Sequence, residues 1–205
     1  MTNYYYTENP DVVHDEKVWN FTLLGNDLTF TTDNGVFSKS RVDFGTCVML
    51  DALAEYEATN LAQAKILDVG CGYGPIGLAL AKKWPACTVD MVDVNNLAME
   101  LGKRNAQNNG ITNVEIFPSN QYEQVQATDY DFILTNPPIR AGKPVVHGIL
   151  TGAYDHLKVG GSLVVVIQKK QGAPSAQKKM EEVFGNCQVL KKNKGYFILQ
   201  AVKEA

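Results

Sequence analysis

The sequence predicts an α/β fold with a doubly wound, mostly parallel sheet of seven strands. Short apolar segments without polar alternation recur between stretches of helical periodicity, which is the pattern of a parallel sheet covered by helices on both faces. Turn residues, mainly glycine, separate these segments. The last two strand patterns follow each other across a tight turn, and they predict an antiparallel pair at the C-terminal edge.

Length and composition match one domain. The chain has 205 residues, 45% of them hydrophobic, so it can bury a full core without disulfides. We expect one domain over residues 1–205, in which residues 1–40 form a hairpin appendage and residues 41–205 form the core. No apolar run reaches the roughly 18 residues that span a bilayer, and neither a signal pattern nor paired cysteines stand out. We therefore expect a cytoplasmic protein with reduced thiols and no membrane partner.

The first predicted elements lie in the appendage and directly after it. Residues 19–24 and 27–32 alternate in character around Gly25-Asn26, which predicts a hairpin. Asp33-Asn34-Gly35 interrupts that pattern. Residues 43–57 then carry apolar side chains at helical spacing, which predicts a helix packed on the core.

From residue 64 onward, strands and helices alternate. The predicted parallel strands span residues 64–69, 88–94, 114–117, 130–135 and 162–168, and the predicted helices span residues 75–84, 95–108, 147–157 and 175–184. Pro75 suits a first helical turn, where its missing N–H costs nothing. Asn109-Gly110 and Gly160-Gly161 are predicted helix ends. Strands over residues 187–191 and 196–202 close the sheet around residues 193–195.

The glycine-rich turn after the first core strand indicates a nucleotide or nucleoside pocket. Gly70, Gly72 and Gly74 let the backbone approach a ligand closely, because no Cβ intervenes. Residues 72–77 also match the dinucleotide fingerprint, so a dehydrogenase is one alternative. The carboxylate of Asp68 argues against it, since it would repel a pyrophosphate but neutralise a cationic amino group.

Polar residues follow the next two core strands. Asp93 ends the second strand, where a carboxylate can accept hydrogen bonds from both hydroxyls of a ribose. The alternative for Asp93 is a helix N-cap. Ser119 and Asn120 follow the third strand and are placed to meet an adenine edge, although a polar loop explains them nearly as well.

Asn136-Pro137-Pro138-Ile139 follows an apolar strand and suits chemistry on an amine. Exocyclic amines and amides are poor nucleophiles because their lone pair is delocalised. The side-chain oxygen of Asn136 and the backbone carbonyl of Pro137 can each accept one N–H, which directs the lone pair toward an electrophile. Neither a metal nor a covalent nucleophile is required. The alternative is an ordinary Asn-Pro turn.

These motifs, in this order, resemble those of class I S-adenosylmethionine-dependent methyltransferases of the small methyltransferase-domain group, in particular the ribosomal RNA guanine-N2 enzymes of the small-subunit methyltransferase C type. The resemblance extends through residues 35–38, 43–46, 140–143 and 168–173. It implies a Rossmann-like fold and catalysis by Asn136, Pro137 and Ile139. It also implies S-adenosylmethionine as cofactor, with binding residues Asp68, Gly70, Gly72, Gly74, Asp93, Asn120 and Asn136.

The charge distribution indicates the kind of partner that the protein binds. Residues 1–139 contain 8 basic and 18 acidic side chains, whereas residues 140–205 contain 11 and 4. A basic final third in an acidic protein is typical of polyanion binding, unless its lysines merely solvate the surface. Loops at the carboxyl ends of parallel strands share one rim, so we expect four cations to grip phosphates there: Arg140, Lys143, Lys169 and Lys170.

The resemblance therefore implies methylation of a guanine N2 amine in ribosomal RNA, either naked or in the small ribosomal subunit. One departure matters: Ile139 stands where the wider group often has an aromatic, so base stacking worth ~1–3 kcal/mol is lost. An N-methyltransferase acting on protein glutamine or on adenine is an alternative, and so is a nucleoside- or RNA-binding module without catalysis.

Overall fold

A computed structural model describes residues 5–205. The strands are β1 (Lys17–Leu23), β2 (Asn26–Thr32), β3 (Lys65–Val69), β4 (Thr88–Asp93), β5 (Val114–Pro118), β6 (Tyr130–Thr135), β7 (Leu157–Gln168), β8 (Gln188–Asn193) and β9 (Tyr196–Val202). The helices are α1 (Phe44–Tyr56), α2 (Ala58–Leu61), α3 (Pro75–Lys83), α4 (Asn96–Asn108), α5 (Lys143–His156) and α6 (Ala173–Phe184). No helix within the described part of the chain is long and apolar enough to cross a bilayer.

Seven strands form one sheet in the order β5-β4-β3-β6-β7-β9-β8. The pairs from β5 to β7 are parallel, and β9 runs antiparallel to both β7 and β8. The chain winds outward in opposite directions from β3 and β6, so a crevice opens between their carboxyl ends. The doubly wound sheet with an antiparallel C-terminal pair is confirmed. Within this pair the order in the sheet is opposite to the order in the chain, since β9 lies next to β7 and β8 forms the edge.

The N-terminal hairpin β1–β2 packs into the core of the main sheet. Leu28 and Phe30 are fully buried in the same apolar cluster as α1 and α3. Two asparagines four residues apart, one in the last turn of α4 and one capping its C-terminus, pair with the outer edge of β2 as a third strand would. Asn109 exchanges hydrogen bonds with Thr29 N and O at 2.9 and 2.8 Å, and Asn105 does the same with Thr31 N and O at 2.7 and 3.1 Å. The edge of β2 is therefore satisfied by a helix.

Several boundaries differ from the sequence-based prediction. Helix α5 begins at Lys143 rather than at residue 147, because Pro144 occupies its first turn, where a missing N–H is harmless. The helix predicted over residues 147–157, which is α5, ends at His156 and is not stopped by Gly160-Gly161. These two glycines lie in an irregular part of β7. The hairpin turn is Leu24-Gly25, one residue earlier than predicted, with both φ angles positive as a tight hairpin turn requires. The short helix α2 was not predicted.

Candidate active site

A cavity of about 530 Å³ opens at the carboxyl ends of β3, β4 and β6. Its lining combines the glycine turn after β3, the loops after β4, β5 and β6, and the segment that follows β2. This is the switch point of the sheet, where open α/β sheets bind their ligands. The loops that the sequence singled out therefore meet in one cavity.

The glycine turn supplies two open positions to this cavity. Gly70 and Gly72 have positive φ angles of 75° and 57°, and a Cβ built on either would meet no protein atom within 4 Å. Gly74 differs, because it does not line the cavity and its Cβ would lie 2.8 Å from Leu78 Cδ1. Gly74 therefore packs against Leu78 of α3, and its binding of the cofactor stays a prediction.

Asp68 lies beneath the glycine turn rather than in the cavity lining. It is fully buried, and its Oδ2 accepts a hydrogen bond from Gly77 N at 3.0 Å, which ties the end of β3 to α3. Its Oδ1 has no hydrogen-bond partner among the described residues. Burial raises the pKa of Asp68 to about 7. Asp68 thus supports the glycine turn from beneath, and its contact with the cofactor stays a prediction.

Asp93 lines the cavity at the end of β4. Its Oδ2 accepts from Gly72 N at 2.8 Å and its Oδ1 from Asn95 N at 2.9 Å, so the carboxylate is held by two backbone donors. Burial raises the pKa of Asp93. The alternative role as helix N-cap falls to Asn95, whose side chain accepts from Ala98 N at 3.1 Å. Asp93 therefore keeps unused lone pairs for a ligand.

The loop after β5 borders the same cavity with Ser119 and Asn120. Ser119 Oγ donates to Gln121 O at 2.9 Å and accepts from Gln124 N at 3.1 Å, so it shapes the turn. Asn120 is exposed, and its Nδ2 donates to Glu123 Oε1 at 2.9 Å. Of the two, Asn120 borders the cavity with a side-chain oxygen that bonds to no group within residues 5–205.

The amide of Asn136 is held in one orientation by two residues of the α1 start. Its Nδ2 donates to Asp43 Oδ2 at 3.1 Å and to Thr46 Oγ1 at 3.2 Å. A carboxylate only accepts hydrogen bonds, so the nitrogen end must face Asp43. No hydrogen bond within residues 5–205 uses Asn136 Oδ1, and Asn136 lines the cavity. Sequence reasoning did not assign roles to Asp43 and Thr46, although both stand in the stretch 43–46.

Of the four predicted cations, one lines the cavity and three do not. Arg140 lines the cavity, in the short turn Ile139–Ala141 that follows the prolines. Lys169 and Lys170 are exposed and lie outside the lining, but Gln168 and Gln171 on either side of them belong to it. Sequence reasoning assigned neither glutamine a role, although both stand in the stretch 168–173.

Lys143 lies apart from the cavity. It borders a shallow surface depression with His147 and Ser175. His147 Nε2 and Ser175 Oγ are 3.1 Å apart and join α5 to α6.

Aromatic side chains that the sequence analysis passed over also line the cavity: Tyr5, Tyr6, Phe37 and Tyr196. Phe37 is 46% exposed, unusual for so large an apolar side chain beside a polar cleft. Tyr196 packs against the backbone of Gly45, where a Cβ would lie 2.5 Å from the Tyr196 ring. No local pattern distinguished these rings from core residues.

Comparison with known proteins points to a single family. The family model for the methyltransferase small domain matches residues 27–200. The uncharacterized protein YbxB of Bacillus subtilis is 51% identical over 204 residues, which cover 99% of this chain and 100% of YbxB.

More distant relatives carry the name of an activity. The ribosomal RNA small subunit methyltransferase C of Citrobacter koseri is 33% identical over 187 residues, covering 89% of this chain but 52% of that protein. The structure of the T. thermophilus 16S rRNA N2 methyltransferase RsmC, in complex with AdoMet and guanosine, superposes with a TM-score of 0.83 at 26% identity. It matches 92% of this chain and 51% of that one. The chain thus spans about half the length of the methyltransferase C relatives.

Proposed function

The chain belongs to the methyltransferase small domain family, and we propose that it methylates the exocyclic N2 amine of a guanine in ribosomal RNA, with S-adenosylmethionine as the methyl donor. The observation that carries this proposal is the fixed amide of Asn136, whose nitrogen is bonded to Asp43 and Thr46 while its oxygen remains available at the cavity.

The residues of the cavity fit this cofactor. Gly70 and Gly72 leave open space where side chains would stand, so a ligand can lie directly on the turn. Asp93 is positioned by two backbone donors to accept from ribose hydroxyls, and Asn120 borders the place expected for an adenine edge. When bound, S-adenosylmethionine supplies a methyl group activated by the positive charge on its sulphur.

The protein's contribution to the reaction is to position an amine. With its nitrogen bonded to Asp43 and Thr46, Asn136 presents only an acceptor to the substrate, and the backbone carbonyl of Pro137 is a second acceptor. Two accepted N–H bonds orient the amine's lone pair and stabilise the positive charge that develops on nitrogen. Prolines at 137 and 138 restrict the backbone so that both acceptors stay in place.

The basic rim supports RNA as the substrate. Arg140 reaches the cavity itself, and Lys169 and Lys170 stand exposed beside it, between two glutamines of the lining. Lysine and arginine at such a rim hold phosphates and give affinity without base specificity.

The test is transfer of tritiated methyl from S-adenosylmethionine to ribosomal RNA from a strain that lacks the gene, followed by mass mapping of the modified nucleoside. Asn136→Ala should reduce turnover on the order of 10²–10³-fold while cofactor affinity changes little. Asn60→Ala, on the exposed surface of α2, is the matched control. Label in protein rather than RNA, or Asn136→Ala at wild-type speed, would refute the proposal.

A further inference from the structure

The cavity has an aromatic wall that the predicted site lacked. Tyr5 and Phe37 both line it, with ring centroids 5.4 Å apart and planes inclined by 37°. Phe37 is 46% exposed, so its ring is available to a ligand. The rings belong to segments 32 residues apart in sequence and meet at this one cavity.

One side chain holds both segments in place. Asn95 Nδ2 donates to Tyr5 O at 2.7 Å and to Gly35 O at 2.9 Å, while its Oδ1 caps α4. The next residue, Asn96, donates its backbone N–H to Glu8 O at 2.9 Å. The ring pair is therefore anchored directly after Asp93, and its position relative to the cofactor half of the cavity is fixed.

Tyr5 lines the same cavity as Asp93, Asn136 and Arg140. Burial raises the pKa of its hydroxyl, while the charge of Arg140 lowers that pKa and the charges of Asp43 and Asp93 raise it. Tyr5 therefore lies within electrostatic reach of the ribose-side carboxylate, of the residue that orients Asn136, and of the cation beside Ile139. A planar amine-bearing group bound at Asn136 would share this cavity with the Tyr5 and Phe37 rings.

We propose that the Tyr5–Phe37 pair is the stacking surface for the purine base whose amine is methylated, taking over the contact that Ile139 is too small and non-planar to make. This inference rests on the proposed function. Aromatic rings stack on any base and contribute binding energy without sequence readout. Specificity for the amine then resides in Asn136 and Pro137, and the ring pair supplies affinity for the base.

The experiment compares Tyr5→Leu, Phe37→Leu and Tyr5→Phe with the wild type. The first measurement is KM and kcat for ribosomal RNA in the methyl-transfer assay, and the second is calorimetric affinity for S-adenosylhomocysteine. Each Leu variant should raise KM roughly five- to a hundredfold, the range for loss of a stacking aromatic, with cofactor affinity and melting temperature unchanged. Tyr5→Phe should behave as the wild type, because it keeps the ring. Tyr56→Leu, an exposed tyrosine at the end of α1, is the control.

A binding readout keeps this inference separate from the proposed function. A short single-stranded RNA that contains 2-aminopurine loses fluorescence when the base stacks, and the measurement needs no catalysis. Quenching by the wild type that both Leu variants abolish would support the stacking surface even if no methyl transfer were seen. Unchanged KM and quenching in both Leu variants, or an equal loss of S-adenosylhomocysteine affinity, would overturn it.

Discussion

Asp43 provides the sharpest test of how Asn136 works, because its Oδ2 accepts two hydrogen bonds with different consequences. One comes from Asn136 Nδ2 at 3.1 Å and fixes the amide; the other comes from Thr46 N at 3.3 Å and caps α1. Three substitutions separate these roles. Asp43→Asn keeps one side-chain oxygen that can accept both hydrogen bonds. Asp43→Ser can still cap α1, but its side chain is too short to reach Asn136. Asp43→Ala loses both hydrogen bonds.

The expected losses of turnover and of stability follow from the hydrogen bonds that each variant removes. A hydrogen bond to a charged acceptor contributes about 1.5–3 kcal/mol, and each 1.36 kcal/mol is tenfold in rate. Because Thr46 Oγ1 remains as a second acceptor at 3.2 Å, we expect turnover to fall about 10- to 100-fold in both the Ser and Ala variants. Asp43→Asn should lose much less. Only Asp43→Ala should also lose the cap, about 1 kcal/mol, or roughly 2–4 °C in melting temperature.

The assay is steady-state methyl transfer at saturating cofactor, with thermal unfolding of each variant measured in parallel. Wild-type turnover in Asp43→Ser would refute the claim that Asp43 orients the amide. An Asp43→Asn variant as slow as Asp43→Ala would show that charge, rather than geometry, is what Asp43 supplies.

Three further predictions concern the cofactor, the rim and pH. Asp93→Ala should weaken S-adenosylhomocysteine binding about 10- to 150-fold with the fold intact, and unchanged calorimetric affinity would contradict the ribose role. Replacing Lys169 and Lys170 with Gln should flatten the slope of log RNA affinity against log salt by about 1.4 to 1.8, at ~0.7–0.9 per phosphate; identical slopes would make them surface charges. Since burial raises the folded-state pKa of Asp68 from 3.8 to about 7, its stabilising contribution is complete below pH 3.8 and is lost as pH rises through 7. Relative to Asp68→Asn, the free energy of unfolding should fall by at most about 1.4 kcal/mol per pH unit across that window, and a flat difference in denaturant unfolding would refute this.

The alternation of strands and helices and the order of the motifs could be predicted from the sequence. Apolar period, glycine turns and helix-starting residues such as Pro75 act within a few neighbours along the chain. The shared rim followed from that alternation, because parallel strands bring their carboxyl ends to one edge. This argument placed Asp93 and Asn136 at the rim, Asp93 as the last residue of one buried strand and Asn136 directly after another.

Only the tertiary structure decided which of these side chains face the cavity. Gly70 and Gly74 look alike in sequence, yet one opens on the cavity and the other packs on Leu78. Asp43 meets Asn136 from 93 residues away. The physical reason is that local propensity is set by neighbours in the chain, whereas a side chain's partners are set by how distant elements pack, and no local pattern encodes that packing.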